Sequence, residues 1–292
     1  MSYECYIGVI DEEAVLAEYG PMRLVIRAWK KGQPQIASAR QAAVEAFGYL
    51  EGIAGCRPLL SRPWPQIEEL PDDELARRMV TSVKAIGDED LTPMAAVAGT
   101  IADAVADWLL ERKATRAIVD NGGDIAIRLA DGEAATVGVR PQVNSSHISH
   151  VIRLNDNRAA WGVATSGVGG RSLTRGIASA VTVLAPNASV ADAAATAVAN
   201  ACFVEDNSVI QLPAEKIDPN TDLTGIATTV EVGFLSSEKI SIALDAARWK
   251  AEYLSRRGVF WGAFIAFENV NIISKGLRPY ISPVNYHTPI TW

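Results

Sequence analysis

Residues 93–129, PMAAVAGTIADAVADWLLERKATRAIVDNGGDIAIRL, decide the fold class. Met94, Val97, Ala98, Ile101, Val105, Trp108 and Leu109 recur at the i, i+3, i+4, i+7 spacing of one helix face. That spacing predicts a helix with Pro93 in its first turn and Thr92 as its N-cap. Asp103 and Asp107, four apart, read as its solvated face. Ala117–Asp120 and Ile125–Leu129 then form two short apolar strands around Asn121-Gly122-Gly123-Asp124. The two glycines tolerate positive φ and the flanking Asn and Asp are turn residues, so this is a tight hairpin. The same glycines would also let a ligand or another backbone approach closely. A helix feeding a hairpin, without the rhythm of βαβ crossovers, is α+β.

Working outward, Tyr3–Ile10 and Met22–Trp29 read as strands, residues 36–54 as a helix, Pro58, Pro63 and Pro65 as a loop, and residues 72–87 as a charged helix. Toward the C-terminus, strands are predicted at Ala135–Val139, His150–Leu154, Ala159–Thr165 and Ala180–Leu184, then a small-residue helix from Val190 to about Phe203. A linker holding Pro213 and Pro219 leads to a strand at Thr228–Val232, a helix over Ser237–Arg256 and a hairpin of Val259–Phe267 with Val270–Ser274. The expected architecture is a set of mixed, largely antiparallel sheets with packed helices, residues 1–292 forming one unit or two intimately packed lobes. Residues 278–292 are Pro-rich and aromatic and are expected to be an extended tail lying across a neighbour or a subunit interface. Tyr280, Tyr286 and Trp292, with the run Phe260–Phe264, suggest a homo-oligomer.

With 292 residues, 49% of them hydrophobic, the chain can bury a core without staples. Cys5, Cys56 and Cys202 are odd in number and form no CxxC, which excludes a disulfide framework or a cysteine zinc site and points to a reducing compartment. Cys202, within an apolar run, reads as buried. The N-terminus has neither a basic segment nor a long apolar one, and no run approaches the roughly 18–20 apolar residues of a membrane span. The net charge of −7, without a basic block, excludes nucleic acid as a partner. The expectation is a soluble, cytoplasmic protein acting on a small molecule.

Two further segments could carry chemistry. Thr165-Ser166-Gly167-Val168-Gly169-Gly170-Arg171-Ser172-Leu173-Thr174-Arg175-Gly176 combines hydroxyl donors, glycines that bare backbone N–H groups, and two arginines able to make bidentate contacts. It reads as an anion-binding loop or as an ordinary flexible one. In Ser189-Val190-Ala191-Asp192-Ala193-Ala194-Ala195-Thr196, Asp192 and Thr196 share a helix face and could hold a hard cation. Ser189 with Asp192 also resembles a capping box. His147 and His150 read as a surface loop. There is no GxSxG, Walker loop, GxGxxG or HExxH.

Three blocks in order, PMAAVAGTIADAVADWLL with VDNGGDIAIRL, then WGVATSG, then SAVTVLAPNASVADAAATAVANA, resemble the ApbE-like superfamily over residues 20–276, and its stand-alone branch more than its exported lipoproteins. The resemblance implies the ApbE-like α+β fold. Characterised relatives are Mg²⁺-dependent flavin transferases that cleave FAD and attach FMN to a Thr or Ser of a partner protein. It also implies roles for the turn Asn121–Asp124, for Thr165, Ser166 and Gly167, and for Asp192 and Thr196 as metal ligands. The chain departs from the transferases in two places. Gly99-Thr100-Ile101-Ala102 stands where they carry Lys-Gly-Tyr, and residues 171–176 lack the His, Asp and Pro of their His-x-x-Asp-Pro segment. Activation of a partner hydroxyl therefore has no obvious base.

The main expectation is an enzyme acting on a small carboxylate or phosphate by non-redox hydrolysis, isomerisation or lyase chemistry. Asn121, Gly122, Gly123, Thr165, Gly167, Gly169, Gly170, Arg171, Ser172 and Arg175 would bind the substrate, and Asp124, Asp192 or Ser166 would supply catalysis. Asp192 and Thr196 would hold Mg²⁺. One alternative is a Mg²⁺-dependent FAD-binding or FMN-transferase-like protein; another is a non-catalytic metabolite-binding scaffold.

Overall fold

The computed structural model describes residues 4–284. The chain divides into two compact units: Met1–Ala135 with Leu154–Ala164 and Ala185–Asp192, and Thr136–Arg153 with Thr165–Leu184 and Ala193–Trp292.

In the first unit, strands β1 (Cys5–Asp11), β2 (Ala14–Tyr19) and β3 (Met22–Lys30) form an antiparallel meander, with the short β4 (Gln33–Pro34) against β3. Helices α1 (Ile36–Leu60), α2 (Glu74–Ile86) and α3 (Val97–Glu111) follow, then β5 (Arg116–Asn121) and β6 (Ile125–Leu129). The strands run in the order β1-β2-β3-β5-β6, and the later β9 (Ala160–Ser166) pairs antiparallel with β6. Period-2 alternation aims Met22, Leu24, Ile26 and Ala28 of β3 at the core, and helices α1 and α3 pack on these strands. The cap of α2 follows from its sequence: Asp73 accepts the Ala76 N–H at 2.8 Å and Gly87 closes the helix at φ 86°.

In the second unit, β7 (Ala134–Val139), β8 (His150–Asn155) and β15 (Ile281–Pro283) form a sheet in the order β15-β8-β7. The strand β10 (Ala180–Ala185) pairs antiparallel with β13 (Gly262–Phe267), and β13 with β14 (Val270–Ile273). Both β10 and β13 are buried throughout, in keeping with near-continuous apolar sequences that only Thr182 interrupts. A two-stranded ribbon joins β11 (Val209–Pro213) and β12 (Ala227–Val232). Helix α4 (Ala188–Ala201) starts in the first unit and ends in the second, which also holds α5 (Ser237–Arg256).

The α+β class and the largely antiparallel sheets match the expectation from sequence. Several details are corrected. Strand β2 was not expected, and β11 occupies part of the expected linker. Helix α1 continues to Leu60 with Pro58 in its last turn, where few further N–H bonds depend on it. Pro93–Ala96 is a 3₁₀ turn whose Thr92 makes no side-chain cap bond, and α3 proper starts at Val97. Pro93–Glu111 is long and apolar enough by composition to cross a membrane, contrary to the sequence reading, although 67% of that window is buried in the fold. Within the expected tail, Ile281–Pro283 pairs with β8; Tyr286 and Trp292 lie outside the described residues. Cys202 is buried as expected, which pushes its thiol up to about 12.

Candidate functional site

Separate segments of the first unit converge on the N-terminal turn of α3. A helix begins with N–H groups that no internal carbonyl can accept, and the N-cap of α3, Ala96, has no side-chain acceptor. Asp192 of α4 supplies one. Its Oδ2 accepts the Gly99 N–H at 3.0 Å, and the Ala98 N–H bonds to the same carboxyl. Asn121, at the end of β5, donates its Nδ2 to the Ala98 carbonyl at 3.2 Å. The approach depends on Gly99 lacking a side chain, because a Cβ there would lie 2.2 Å from the Ala188 carbonyl oxygen.

The start of α4 is held reciprocally. Asp103 of α3 accepts the Ala188 N–H at 3.1 Å on Oδ1 and the Ser189 N–H at 2.8 Å on Oδ2. Asn187 is the residue before the helix, and its Oδ1 accepts the Val190 N–H at 2.8 Å. The expected Ser189–Asp192 capping box is therefore corrected. Ser189 lies inside the first turn, and its hydroxyl is 2.7 Å from both Ser82 Oγ and Thr100 Oγ1. Asn187 takes the capping role, and Asp192 caps the other helix.

Asp103 is fully buried, which overturns its reading as part of a solvated face. A buried carboxylate needs a partner, and Arg128 of β6 provides it with Nη2 at 2.9 Å from Asp103 Oδ1. Arg128 Nε also reaches Asp107 at 2.7 Å, and Arg78 reaches Asp107 at 3.1 Å. Burial works against the charge of Arg128, but the two aspartates outweigh it and hold the guanidinium above its ordinary value. Asp192 is in a different state. Burial, with the nearby charge of Asp103, pushes its carboxyl up to about 7 against the lowering effect of the two backbone N–H groups.

The hairpin tip beside this turn has its own internal logic. Gly122 and Gly123 adopt φ of 72° and 111°. The Asn121 N–H donates to the Asp124 carbonyl at 3.0 Å, and Asp120 Oδ1 accepts the Gly123 N–H at 2.7 Å. Turn geometry therefore accounts for both glycines, and Asp124 is 9% exposed within that turn.

The second unit holds the glycine-rich loop after β9. Thr165 Oγ1 lies 2.9 Å from Thr182 Oγ1. Ser166 is 5% exposed, and its hydroxyl has no hydrogen-bond partner. The loop then folds onto its own unit: the Val168 N–H donates to the Ala178 carbonyl at 2.9 Å, and the Gly170 N–H to the Gly167 carbonyl at 3.2 Å. A Cβ at Gly167 would lie 2.8 Å from the Ser179 carbonyl oxygen, so this glycine answers a packing need. Arg171 and Ser172 are exposed. The main chain of Arg175 is pinned: its N–H donates to Asn200 Oδ1 at 3.0 Å, and its carbonyl accepts from Gln211 Nε2 at 2.9 Å and Thr229 Oγ1 at 3.0 Å. The loop, which the sequence left open as anion-binding or as flexible, is thus tied down at both ends.

His147 is exposed, while the His150 ring packs on Phe264 at 5.0 Å and burial lowers its pKa. Among the described residues, no group of three or more His, Cys, Asp and Glu is placed to hold a metal.

The sequence reading singled out Asn121 and Asp192, and the structure brings both to the same helical turn. It missed Asn187, whose place before Ala-Ser-Val is an ordinary N-cap pattern, and the Asp103–Arg128 pair. Arg128 carried a signal, being the one charge in the apolar strand IAIRL.

The family described as AbpE bacteria matches residues 9–274. A UPF0280 protein of Methanobrevibacter smithii is 38% identical over 130 residues, covering 44% of this chain and 52% of that protein. A UPF0280 protein of Archaeoglobus fulgidus is 41% identical over 163 residues, covering 56% and 65%. The chain spans about half the length of the curated relatives it matches. Among solved structures, the apo form of the Pseudomonas stutzeri flavinyl transferase ApbE is 13% identical with a TM-score of 0.48, covering 95% of this chain and 96% of that one. The match extends over nearly the whole described chain, and the protein belongs to the AbpE bacteria family, within the ApbE-like superfamily.

Proposed function

We propose that the chain is a divalent-cation-dependent enzyme that binds a flavin dinucleotide of the FAD type and cleaves its diphosphate. Membership of the ApbE-like superfamily supports the flavin class, and Asp192 is the observation that carries the cation. Its carboxyl is buried and pushed up to about 7 by burial and by Asp103, against the lowering effect of two backbone N–H groups. A carboxylate has about four acceptor positions, so two N–H donors leave room for a cation. Mg²⁺ ordinarily binds through one or two carboxylates together with waters and substrate phosphates, which suits a site without an acidic cluster. Asp192 would hold the ion, and Thr196, one turn further along α4, would add a hydroxyl oxygen.

When bound, the ion would neutralise charge on phosphate oxygens. The chain's own part is to hold that carboxylate in place, which Gly99 and Ala98 do through their N–H groups. Transfer of FMN to a protein hydroxyl is a weaker reading because residues 171–176 offer no base. The reading of Arg171 and Arg175 as a clamp for a small carboxylate rests on loop composition alone.

The test is turnover: FAD incubated with the protein and Mg²⁺, with FMN and AMP separated by chromatography. Release of both from the wild type, its loss with a chelator, and its loss in Asp192→Asn are expected. Binding of FAD with no product under any of these conditions would replace the enzyme by a flavin-binding scaffold.

A further inference from the structure

Helix α5 carries two apolar faces, and only one of them is used. Ala243, Leu244, Ala247, Ala251 and Leu254 are buried against the second unit. On the opposite side lie Ile242, Ala246, Trp249 and Tyr253, separated by four, three and four residues. Ile242 is 52% exposed, Trp249 64% and Tyr253 38%. The Trp249 and Tyr253 rings stack with centroids 5.5 Å apart and planes 5° from parallel, so the stripe is already ordered. Large exposed aromatics in a row are unusual on a surface that meets only water. A 4-3-4 spacing is the seam of two packed helices, with Ile242 and Trp249 at one type of core position and Ala246 and Tyr253 at the other.

The charges beside the seam select the occupant. One flank carries Asp245 and Glu252; the other carries Lys250 and Arg257. In a parallel pair of identical helices, each flank meets the opposite flank of the other copy. Asp245 then faces the partner's Lys250, and Glu252 faces the partner's Arg257. An antiparallel pair would set acid against acid and base against base. Within one chain, Asp245 pairs with Arg248 at 2.8 Å, each about half exposed, and Glu252 accepts the Lys275 N–H at 2.8 Å. Lys250 and Arg257 are engaged within the chain as well, Arg257 lying 5.5 Å from the Tyr253 ring centroid; surface contacts of this kind are weak and carboxylates have spare acceptor positions, so both flanks can exchange partners.

We propose that α5 is the interface of a parallel, two-fold symmetric homodimer, seamed by Ile242, Ala246, Trp249 and Tyr253 and oriented by the Asp245–Lys250 and Glu252–Arg257 pairs between copies. The inference stands apart from the flavin reading and uses none of its residues.

Sedimentation equilibrium of the full chain over a concentration series is the test, with Trp249→Glu beside the wild type and circular dichroism as the control for folding. The wild type is expected to dimerise, and Trp249→Glu, at an exposed position, to fold normally and dimerise at least about 30-fold more weakly, the effect of losing a dominant interface aromatic. Ala246→Cys in a Cys5→Ser background reads the orientation. A parallel seam brings the two copies of position 246 together, so mild oxidation should link them, and adding Trp249→Glu should prevent it. A wild type that stays monomeric up to its solubility limit, or a dimer indifferent to Trp249→Glu, overturns the proposal. A dimer sensitive to Trp249→Glu whose position-246 thiols do not join overturns the parallel arrangement.

Discussion

Asp103 and Asp192 cap each other's helices. Asp103, in α3, accepts the first N–H groups of α4 from Ala188 and Ser189, and Asp192, in α4, accepts the Gly99 and Ala98 N–H groups near the start of α3. Each carboxylate meets the positive end of the other helix dipole. The two differ in what balances them: Arg128 neutralises Asp103, whereas Asp192 is left to burial and backbone N–H groups. This asymmetry leaves Asp103 as the ion-paired member of the two and is the basis on which Asp192 is proposed as the cation ligand.

The Asp103–Arg128 pair should behave as a buried ion pair. Asp103→Ala leaves an uncompensated guanidinium and should cost about 3–5 kcal/mol in urea unfolding. Replacing both partners together, with Asp103→Leu and Arg128→Met, should cost clearly less. If the single and double variants were equally unstable, the cost would lie in the lost α4 cap and not in the stranded charge.

Asp192 gives stability a pH dependence of definite sign. Its folded-state value, about 7, lies above the ordinary carboxylate value, so between roughly 4 and 7 the native state holds a proton that the unfolded chain releases. The contribution is fully present below pH 4, is lost as pH rises through about 7, and then levels off. Without divalent cations, the wild type should lose more stability than Asp192→Asn across that window. Identical pH profiles for the two proteins would contradict the assignment.

Gly99→Ala offers a test of the helix crossing itself. In an unconstrained helix this change stabilises by roughly 0.5–1 kcal/mol. Here the new Cβ would sit 2.2 Å from the Ala188 carbonyl oxygen, so thermal unfolding should show a loss. Asn187→Ala should lower stability by about 1 kcal/mol through the lost cap. A stabilised Gly99→Ala would mean that the two helices are not in contact there.

Two of the three cysteines, Cys5 and Cys202, should separate cleanly by reactivity. Cys5 is exposed, whereas Cys202 is buried with its thiol pushed up to about 12. A thiol reagent at neutral pH should label Cys5 rapidly and Cys202 only on unfolding, as read by peptide mass. Rapid labelling of Cys202 in the native protein would contradict its burial.

The elements legible in the sequence were those with a strong period or clear punctuation. The helix over Ser237–Arg256 was read from the sequence, and the structure adds its cap, the Ser236 side chain accepting the Lys239 N–H. The hairpin around Gly122 and Gly123 was equally plain, since both positions need positive φ. Strand β2 escaped because AVLAEY is short and its pairing with β1 and β3 is tertiary information. Asp103 was misread because Asp103 and Asp107, at helical spacing, look the same whether they meet water or an arginine from a strand. Asp192 was recognised as a candidate, but its link to Gly99, 93 positions away in sequence, exists only in the folded chain. The Ser166 hydroxyl was likewise one of four in its loop until burial set it apart.

The most direct test of the central claim is a calorimetric titration of wild type and Asp192→Asn with FAD, each with and without Mg²⁺. We expect tight FAD binding to the wild type that requires Mg²⁺, with about 2.7 kcal/mol of added stability at 100 times the dissociation constant, and its loss in Asp192→Asn. FAD binding to both proteins alike, indifferent to Mg²⁺, or no binding to either, would contradict the claim that Asp192 is the cation ligand of a flavin-dinucleotide site.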